Sequence, residues 1–282
     1  MIIDCHTHLF PDDISLNREQ YLDGEPAFSM IYKSSKAEMI NAEALIREMD
    51  ESSVDMSVVC GFPWVNPETV KRNNDYIMDV VAAYPNRLIG MACFDAFSEN
   101  IAEETERCFK GNLRGVGELA FYLSGIDDAA LDRLSDVMDI CREHRFPLMM
   151  HTNESVGHMY PGKTPISLPE IYNFAKRFPE NSIILAHWGG GIFFYTLMKK
   201  EVQDVLKNIY YDSAASPFLF SPEIYRYGVE LAGAEKVLFG SDYPLIKPSR
   251  YFKEIASINL SPEHERRIKG ENAARLFRID ER

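Results

Sequence analysis

Two periods alternate along the hydrophobic pattern of this chain. Eight short apolar, β-branched-rich runs fall at 2–6, 57–62, 88–94, 115–119, 147–151, 182–187, 209–213 and 237–242. Most are continuous rather than alternating, as expected of strands buried on both faces. Stretches of helical spacing lie between them. Residues 36–51 carry Met39, Ile40, Leu45, Ile46 and Met49 at three- and four-residue intervals. Residues 67–83 open with Pro67 in a first helical turn and run through Val70, Ile77, Val80 and Val81. Residues 127–144 place Leu131, Leu134, Met138 and Cys141 on one face, and further helices are expected over 99–109, 168–177, 193–206, 222–232 and 262–277. Strand alternating with helix eight times predicts an α/β protein, a single-domain (β/α)8 TIM barrel over residues 1–282. The segment 9–35 is long for a connection between a strand and its helix, and predicts a lid or extra short elements.

Composition narrows the partners. A chain of 282 residues, 46% hydrophobic and 26% charged, suits one barrel with a sizeable core. The net charge of −13 and the absence of any Lys/Arg-rich run argue against nucleic acid or an anionic membrane. A small-molecule substrate remains, and a homo-oligomer is compatible with the composition. No apolar run approaches the ~20 residues that span a bilayer, and the opening strand shows no leader-like pattern. Five Cys, an odd number with no Cys-x-x-Cys, suggest reduced thiols and a cytoplasmic protein.

Candidate chemistry lies at the strand ends, where active sites of such barrels are built. The first run leads into His6-Thr7-His8; two imidazoles two positions apart on one strand share a face, with Asp4, and turn Cys5 and Thr7 away. An isolated His-x-His is more often an ordinary polar pair, but later runs end in Glu118, His151, His187 and Asp242. Each of these has a bland explanation by itself: a satisfied core histidine, a buried ion-pair partner, a helix cap. Six such residues at one rim are what a divalent metal needs. Gly189–Gly191 lacks the remainder of a phosphate-binding loop and reads as a tight turn.

With His-Trp-Gly-Gly-Gly at 187–191, Gly-Ser-Asp-Tyr-Pro at 240–244 and Glu-Asn-Ala-Ala-Arg-Leu-Phe at 271–277, the sequence resembles the metal-dependent amidohydrolase superfamily. The resemblance covers nearly the whole chain. It is strongest to the branch called amidohydrolase family 2, the aminocarboxymuconate-semialdehyde decarboxylase-like branch of hydrolases, decarboxylases and hydratases. It implies that His6, His8, His151 and Asp242 hold one ion, expected to be Zn2+. Asp242 would also take a proton from a bound water, and His187 would polarise substrate or shuttle a proton. Glu118 on the fourth strand resembles the bridging carboxylate of two-metal relatives; in that version His151 and His187 hold a second divalent ion.

The chemistry expected first is hydrolysis, in which a metal-bound water attacks an amide, lactone or ester of a small carboxylated or cyclic substrate. Decarboxylation of an unsaturated acid by the same residues is the alternative, and a non-catalytic, metal-stabilised binding protein is a third. Substrate contacts are expected from Trp64, Tyr122, Asn153, Lys163, Trp188 and Arg250, with Phe10, Asp212, Tyr243 and Lys247 as further rim candidates. Lys163, Lys247 and Arg250 are the cations placed to clamp a carboxylate, Arg250 bidentately.

Overall fold

The computed structural model describes residues 1–279. Its eight strands are β1 (Ile3–His8), β2 (Met56–Cys60), β3 (Leu88–Gly90), β4 (Val116–Leu119), β5 (Leu148–Met150), β6 (Ile183–Leu185), β7 (Ile209–Asp212) and β8 (Val237–Leu238). They pair in parallel in the orders β1-β2-β3 and β4-β5-β6-β7-β8. Parallel bridges Ala92↔Val116 and Thr7↔Tyr243 join the two sets, so the ring closes as a (β/α)8 barrel. The alternation of strands and helices predicted from the sequence is therefore the fold.

Two apolar layers hold it. Inside the ring, Cys5, Val58, Cys60, Ile89, Met91, Met149, Ile184 and Leu238 pack together. Ala273 and Phe277 of the C-terminal segment join them and close the amino-terminal end. There Asn272, 1% exposed, donates through Nδ2 to the carbonyls of Ala234 (2.7 Å) and Val237 (2.8 Å). A larger cluster fills the space between the ring and its helices, with Leu45, Ile77, Leu134, Phe174 and Ile255 among its members. The helices start at polar caps, as at Asn66, whose side chain accepts from Glu68 and Thr69, and at the Ser167/Glu170 capping box.

Element ends differ from expectation where local chemistry intervenes. The helix expected over 36–51 begins only at Ala42, because the Asn41 side chain accepts from the Ala44 amide and caps it there. The helix expected over 193–206 is replaced by a 3-10 segment, His187–Leu197, and a short helix, Lys200–Val205. A run of left-handed residues from His187 through Gly191 leads into the first piece, and the non-helical Met198 and Lys199 separate it from the second. A Cβ on Gly190 would come within 2.4 Å of the Asn153 carbonyl, so this turn needs glycine there. The stretch 262–277 is broken into Pro262–Arg266, a π-turn Arg267–Glu271 and Asn272–Leu276. The long first connection does contain extra elements: Asp12–Leu16, a 3-10 turn Arg18–Tyr21 and a helix Pro26–Tyr32. Among the described residues no helix is long and apolar enough to cross a membrane.

Candidate metal centre

Two irregular strands aim the donors. In β1 the pairing steps from Asp4↔Ser57 to Thr7↔Val59, so β1 carries one residue more than its partner. In β4 it steps from Val116↔Leu148 to Leu119↔Met150, again with one extra residue. A bulge of this kind breaks the alternation of faces and re-aims a side chain. Strict alternation would turn His6 away from the barrel interior that Cys5 fills. With the extra residue, Cys5 lies in the interior core while His6 and His8 reach donors on β4 and in the turn after β8. Asp4, expected beside them, instead accepts from Ser241 N (2.9 Å) and Oγ (2.5 Å), tying β1 to that turn. In β4, Gly117 has φ +140° and a Cβ there would lie 2.6 Å from the Met149 carbonyl. Only glycine fits, and Glu118 is turned into the mouth.

The donors form two groups that share Glu118. His6 Nε2 and His8 Nε2 are 3.1 Å apart. Glu118 Oε2 lies 3.5 Å from the first and 3.7 Å from the second, and Asp242 Oδ1 lies 3.7 Å and 3.2 Å from them. On the other side, Glu118 Oε1 is 2.9 Å from His151 Nδ1 and 3.5 Å from His187 Nε2, and those two nitrogens are 3.2 Å apart. His151 therefore sits with His187 on the second oxygen of Glu118, not within the four-atom group around His6 and His8.

Hydrogen bonds at the far ring nitrogens decide what faces the centre. His6 Nδ1–H donates to Asp212 Oδ2 (2.9 Å), and His8 Nδ1–H donates to the Gly61 carbonyl at 3.3 Å. Both Nε2 atoms then present lone pairs to each other and to two carboxylate oxygens. In those tautomers four acceptors face one another, and either a proton on an imidazole or a cation must lie between; burial opposes a proton on His6, but Glu118 and Asp212 outweigh it and raise that imidazole well above its usual value. Ligands about 2.0–2.2 Å from one ion stand roughly 3.0–3.6 Å apart; the spacings from the two imidazoles to each other and to the carboxylates, 3.1 to 3.7 Å, are close to that, and His6, His8 and Glu118 form one cluster able to hold an ion. The residues present fit a divalent ion, and imidazole with carboxylate suits zinc or manganese. Glu118, His151 and His187 form a second cluster able to hold one. There His187 Nδ1–H donates to the Ala214 carbonyl (3.0 Å) and His151 Nε2–H to the Gly162 carbonyl (3.0 Å).

The electrostatics agree. Burial opposes the charge on Glu118, yet His6 and His151 outweigh it and hold the carboxyl well below the usual range. Asp242 is likewise depressed, its burial overcome by the hydrogen bond to His8 and the charges of His6 and His187. Both carboxylates are ionised at neutral pH. In return, although burial pulls His187 down, the Glu118 hydrogen bond and the charges of Asp242, Glu118 and Asp212 push it up to about 9. Protons and a divalent cation compete for these imidazoles.

Asp212 has a larger place than the sequence suggested. Fully buried at the end of β7, it holds His6 through Oδ2, while Oδ1 accepts from His187 N (2.9 Å) and Ala214 N (3.0 Å). One carboxylate fixes the tautomer of one donor and the backbone beside another. From the sequence alone Asp212 is expected only as a substrate contact at the rim.

Of the expected substrate residues, Tyr122 is at the centre, its ring 5.2 Å from that of His151. Trp64 and Trp188 are fully buried in the core; the indole of the first donates to Asn73 Oδ1 (2.7 Å), that of the second to Ser216 Oγ. Asn153 braces its own loop by accepting from Thr164 N (2.7 Å) and Oγ1 (2.7 Å). Lys163 is 8% exposed and spends its charge on Glu154 Oε1 (2.7 Å). Lys247 pairs with Glu48 (2.6 Å), and exposed Arg250 donates to the Pro217 carbonyl (3.2 Å).

Fold and donor set together define a barrel protein with a metal-type centre at its carboxyl rim. The family model described as Amidohydrolase matches residues 3–279, and the chain belongs to that family. A curated relative, the 2-amino-3-carboxymuconate-6-semialdehyde decarboxylase of Dictyostelium discoideum, is 23% identical over 92% of this chain and 88% of its own length. The 5-carboxyvanillate decarboxylase of Sphingomonas paucimobilis superposes with a TM-score of 0.73 at 17% identity, covering 98% of each chain. A dihydroxybenzoic acid decarboxylase from Polaromonas, solved with manganese and the inhibitor 2-nitroresorcinol, gives 0.70 at 17%, over 99% of this chain and 97% of that one. These relatives are decarboxylases, and they overturn hydrolysis as the first expectation. The physical reason for the error is that hydrolysis and decarboxylation draw on the same rim residues, so the motif alone does not separate them.

Proposed function

We propose that the protein is a metal-dependent, non-oxidative decarboxylase of a small unsaturated or aromatic acid. The observation that carries this reading is the group of four acceptor atoms from His6, His8, Glu118 and Asp242, gathered at ligand spacing beside an imidazole that holds a proton. Decarboxylase relatives of similar length and shape support it. The cation is zinc, as expected from the sequence, or manganese, as in the Polaromonas relative. One ion at His6, His8, Glu118 and Asp242 suffices, with the Glu118–His151–His187 group as a second position.

When bound, the cation holds and polarises the oxygen atoms of the acid. The remaining work falls to side chains. Asp212 keeps the His6 proton on Nδ1, so that Nε2 stays a donor. The Ala214 carbonyl keeps a proton on His187 Nδ1, so any proton lost in catalysis leaves from Nε2. That proton passes to the carbon bearing the carboxylate. The carbon–carbon bond then breaks, its electron pair returns to the unsaturated system, and carbon dioxide departs. His187 is reprotonated from water.

The test is a panel of hydroxybenzoic and 2-enoic acids offered to protein loaded with zinc or manganese, with carbon dioxide release followed directly. Release that depends on the metal is expected. Silence across the panel, with metal bound, overturns the reading.

A further inference from the structure

Two phenols near the centre, Tyr122 against His151 and Tyr32 behind the Phe62 ring that Tyr122 covers, have no protein partner among the described residues. Tyr32 ends the Pro26–Tyr32 helix of the first connection, and its ring is fixed by three aromatic neighbours. Phe10 lies at 5.0 Å and 70°, Phe28 at 5.0 Å and 29°, and Phe62 at 5.7 Å and 80°. Tyr122, from beyond β4, lies across the same Phe62 at 6.2 Å and 8°. Burial and then the negative charges of Asp242 and Glu118 push the Tyr32 phenol up; burial, Glu118 and Tyr32 itself do the same to Tyr122. Both hydroxyls are thus within electrostatic reach of the carboxylates and of each other, and both stay protonated.

Neither hydroxyl has a hydrogen-bond partner among the described residues, whereas three other tyrosines of the barrel are engaged by neighbours. Tyr251 Oη donates to the Ser241 carbonyl (2.6 Å), Tyr160 Oη to Glu154 (2.8 Å) and Tyr21 Oη to Asp13 (2.9 Å). Both residues are half-buried and their hydroxyls are open rather than sealed in the core, so two unengaged donors beside a metal-type centre are placed to meet a ligand.

The chain also invests in placing Tyr32. One guanidinium nitrogen of Arg18 donates to the carbonyls of Tyr32 (3.3 Å), Ser34 (2.9 Å) and Ala37 (2.9 Å), fixing the helix's C-terminal end. At its other end Glu25, 4% exposed, accepts from Val65 N (3.0 Å) and Asn66 N (2.7 Å). This short helix is fastened at both ends by two buried or half-buried charges. Meanwhile the cations expected to clamp a carboxylate are committed elsewhere: Lys163 to Glu154, Lys247 to Glu48, Arg250 to a carbonyl on the surface.

We infer that Tyr32 and Tyr122 are the specificity-determining contacts of the site, donating to an oxygen substituent of the bound acid on the side away from the cation, and that Arg18 is the positioning residue for Tyr32. Two neutral donors suit a hydroxyl, phenolate or carbonyl oxygen, and give a second carboxylate no countercharge. The substrate class is then a monocarboxylic acid carrying an oxygen substituent. This rests on the decarboxylase reading and goes one step beyond it.

The experiment is calorimetric titration of manganese-loaded protein with 2,6-dihydroxybenzoate and, in parallel, benzoate. Tyr32→Phe and Tyr122→Phe are each expected to weaken the dihydroxy acid by about three- to tenfold, the effect of one hydrogen bond, and to leave benzoate unchanged. Arg18→Met should reproduce the Tyr32→Phe change in the ratio of the two affinities, which a general loosening of the fold would not alter. Wild-type binding of the dihydroxy acid that both phenylalanine variants retain in full overturns this inference and leaves the decarboxylase reading standing. Wild-type protein that binds neither acid overturns this inference, while carbon dioxide release across the wider panel decides the decarboxylase reading separately.

Discussion

The two ends of the barrel treat polar groups in opposite ways. At the amino-terminal end, donors meet acceptors. Arg87 donates to the Asp55 carbonyl (2.9 Å) and Asp50 Oδ1 (2.8 Å), Arg114 to the carbonyls of Phe277 (3.1 Å) and Arg278 (2.9 Å), and Asn272 to Ala234 and Val237. At the carboxyl end, lone pairs of His6 and His8 face two carboxylate oxygens, and Glu118 is shared between two histidine pairs. One end is arranged to be stable without help. The other spends stability to hold a cation, as expected where function rather than folding sets the residue types.

The sharpest way to break that contrast is to delete a donor at the crowded end. His6→Ala should abolish stoichiometric metal binding, seen by elemental analysis of dialysed protein. It should also cut carbon dioxide release by at least about a thousandfold, since the Lewis acid goes with it. The metal-free variant should also melt lower than metal-free wild type, because the protonated imidazole that lies between Glu118 and Asp212 has gone. A variant that keeps its full complement of metal would show that His6 is not a donor.

Asp212→Asn probes the next layer. The amide keeps the shape but no longer holds the Nδ1 proton on His6 as a carboxylate does. Metal affinity should fall about 10- to 100-fold, the usual cost of losing such a support. Competition with a chromophoric chelator measures it, and unchanged affinity would remove Asp212 from the centre.

Acidity gives a third handle. Raised to about 9, His187 binds a proton in the fold that the unfolded chain gives up near about 6.5. With the folded value above the unfolded one, this contribution to stability is complete below about 6.5 and is lost as pH rises through 9. Protein kept in chelator should therefore lose thermal stability across that window, and His187→Asn should flatten the slope. A bound cation repels the imidazolium and lowers its pKa. The alkaline limb of carbon dioxide release should accordingly fall at or below pH 9.

What the sequence made legible follows the same division. Apolar runs and helical spacing revealed the eight-fold alternation, because burial on both faces leaves a continuous signature in each strand. Strand ends revealed His6, His8, Glu118, His151, His187 and Asp242, because the rim of a barrel has few other uses for buried imidazole. The bulges in β1 and β4 were not legible: an extra residue changes register with a neighbour 50 or 30 residues away, and leaves the local pattern intact. His151 stands with His187 on the second oxygen of Glu118, the arrangement the sequence offers as its two-metal version, because Glu118 turned by its bulge takes the space between the two histidine pairs. Tyr32 lies inside a connection whose length signals extra elements, but whose three short elements are too brief to leave a periodic pattern. Trp64, Trp188 and Lys163 looked like pocket residues because they follow strands, yet Asn73, Ser216 and Glu154 had already claimed their polar atoms.

The quiet end of the barrel supplies the smallest and most discriminating test. Asn272→Ala leaves the Ala234 and Val237 carbonyls without their shared donor in a buried site. Unfolding free energy should drop by about 1–3 kcal/mol in urea titration. The metal affinity and the manganese dependence of carbon dioxide release should stay at wild-type values, because no metal donor contacts this residue. A variant that lost metal in proportion to its stability would mean that the two ends are coupled through the strands, and that the division between a folding end and a working end is too sharp.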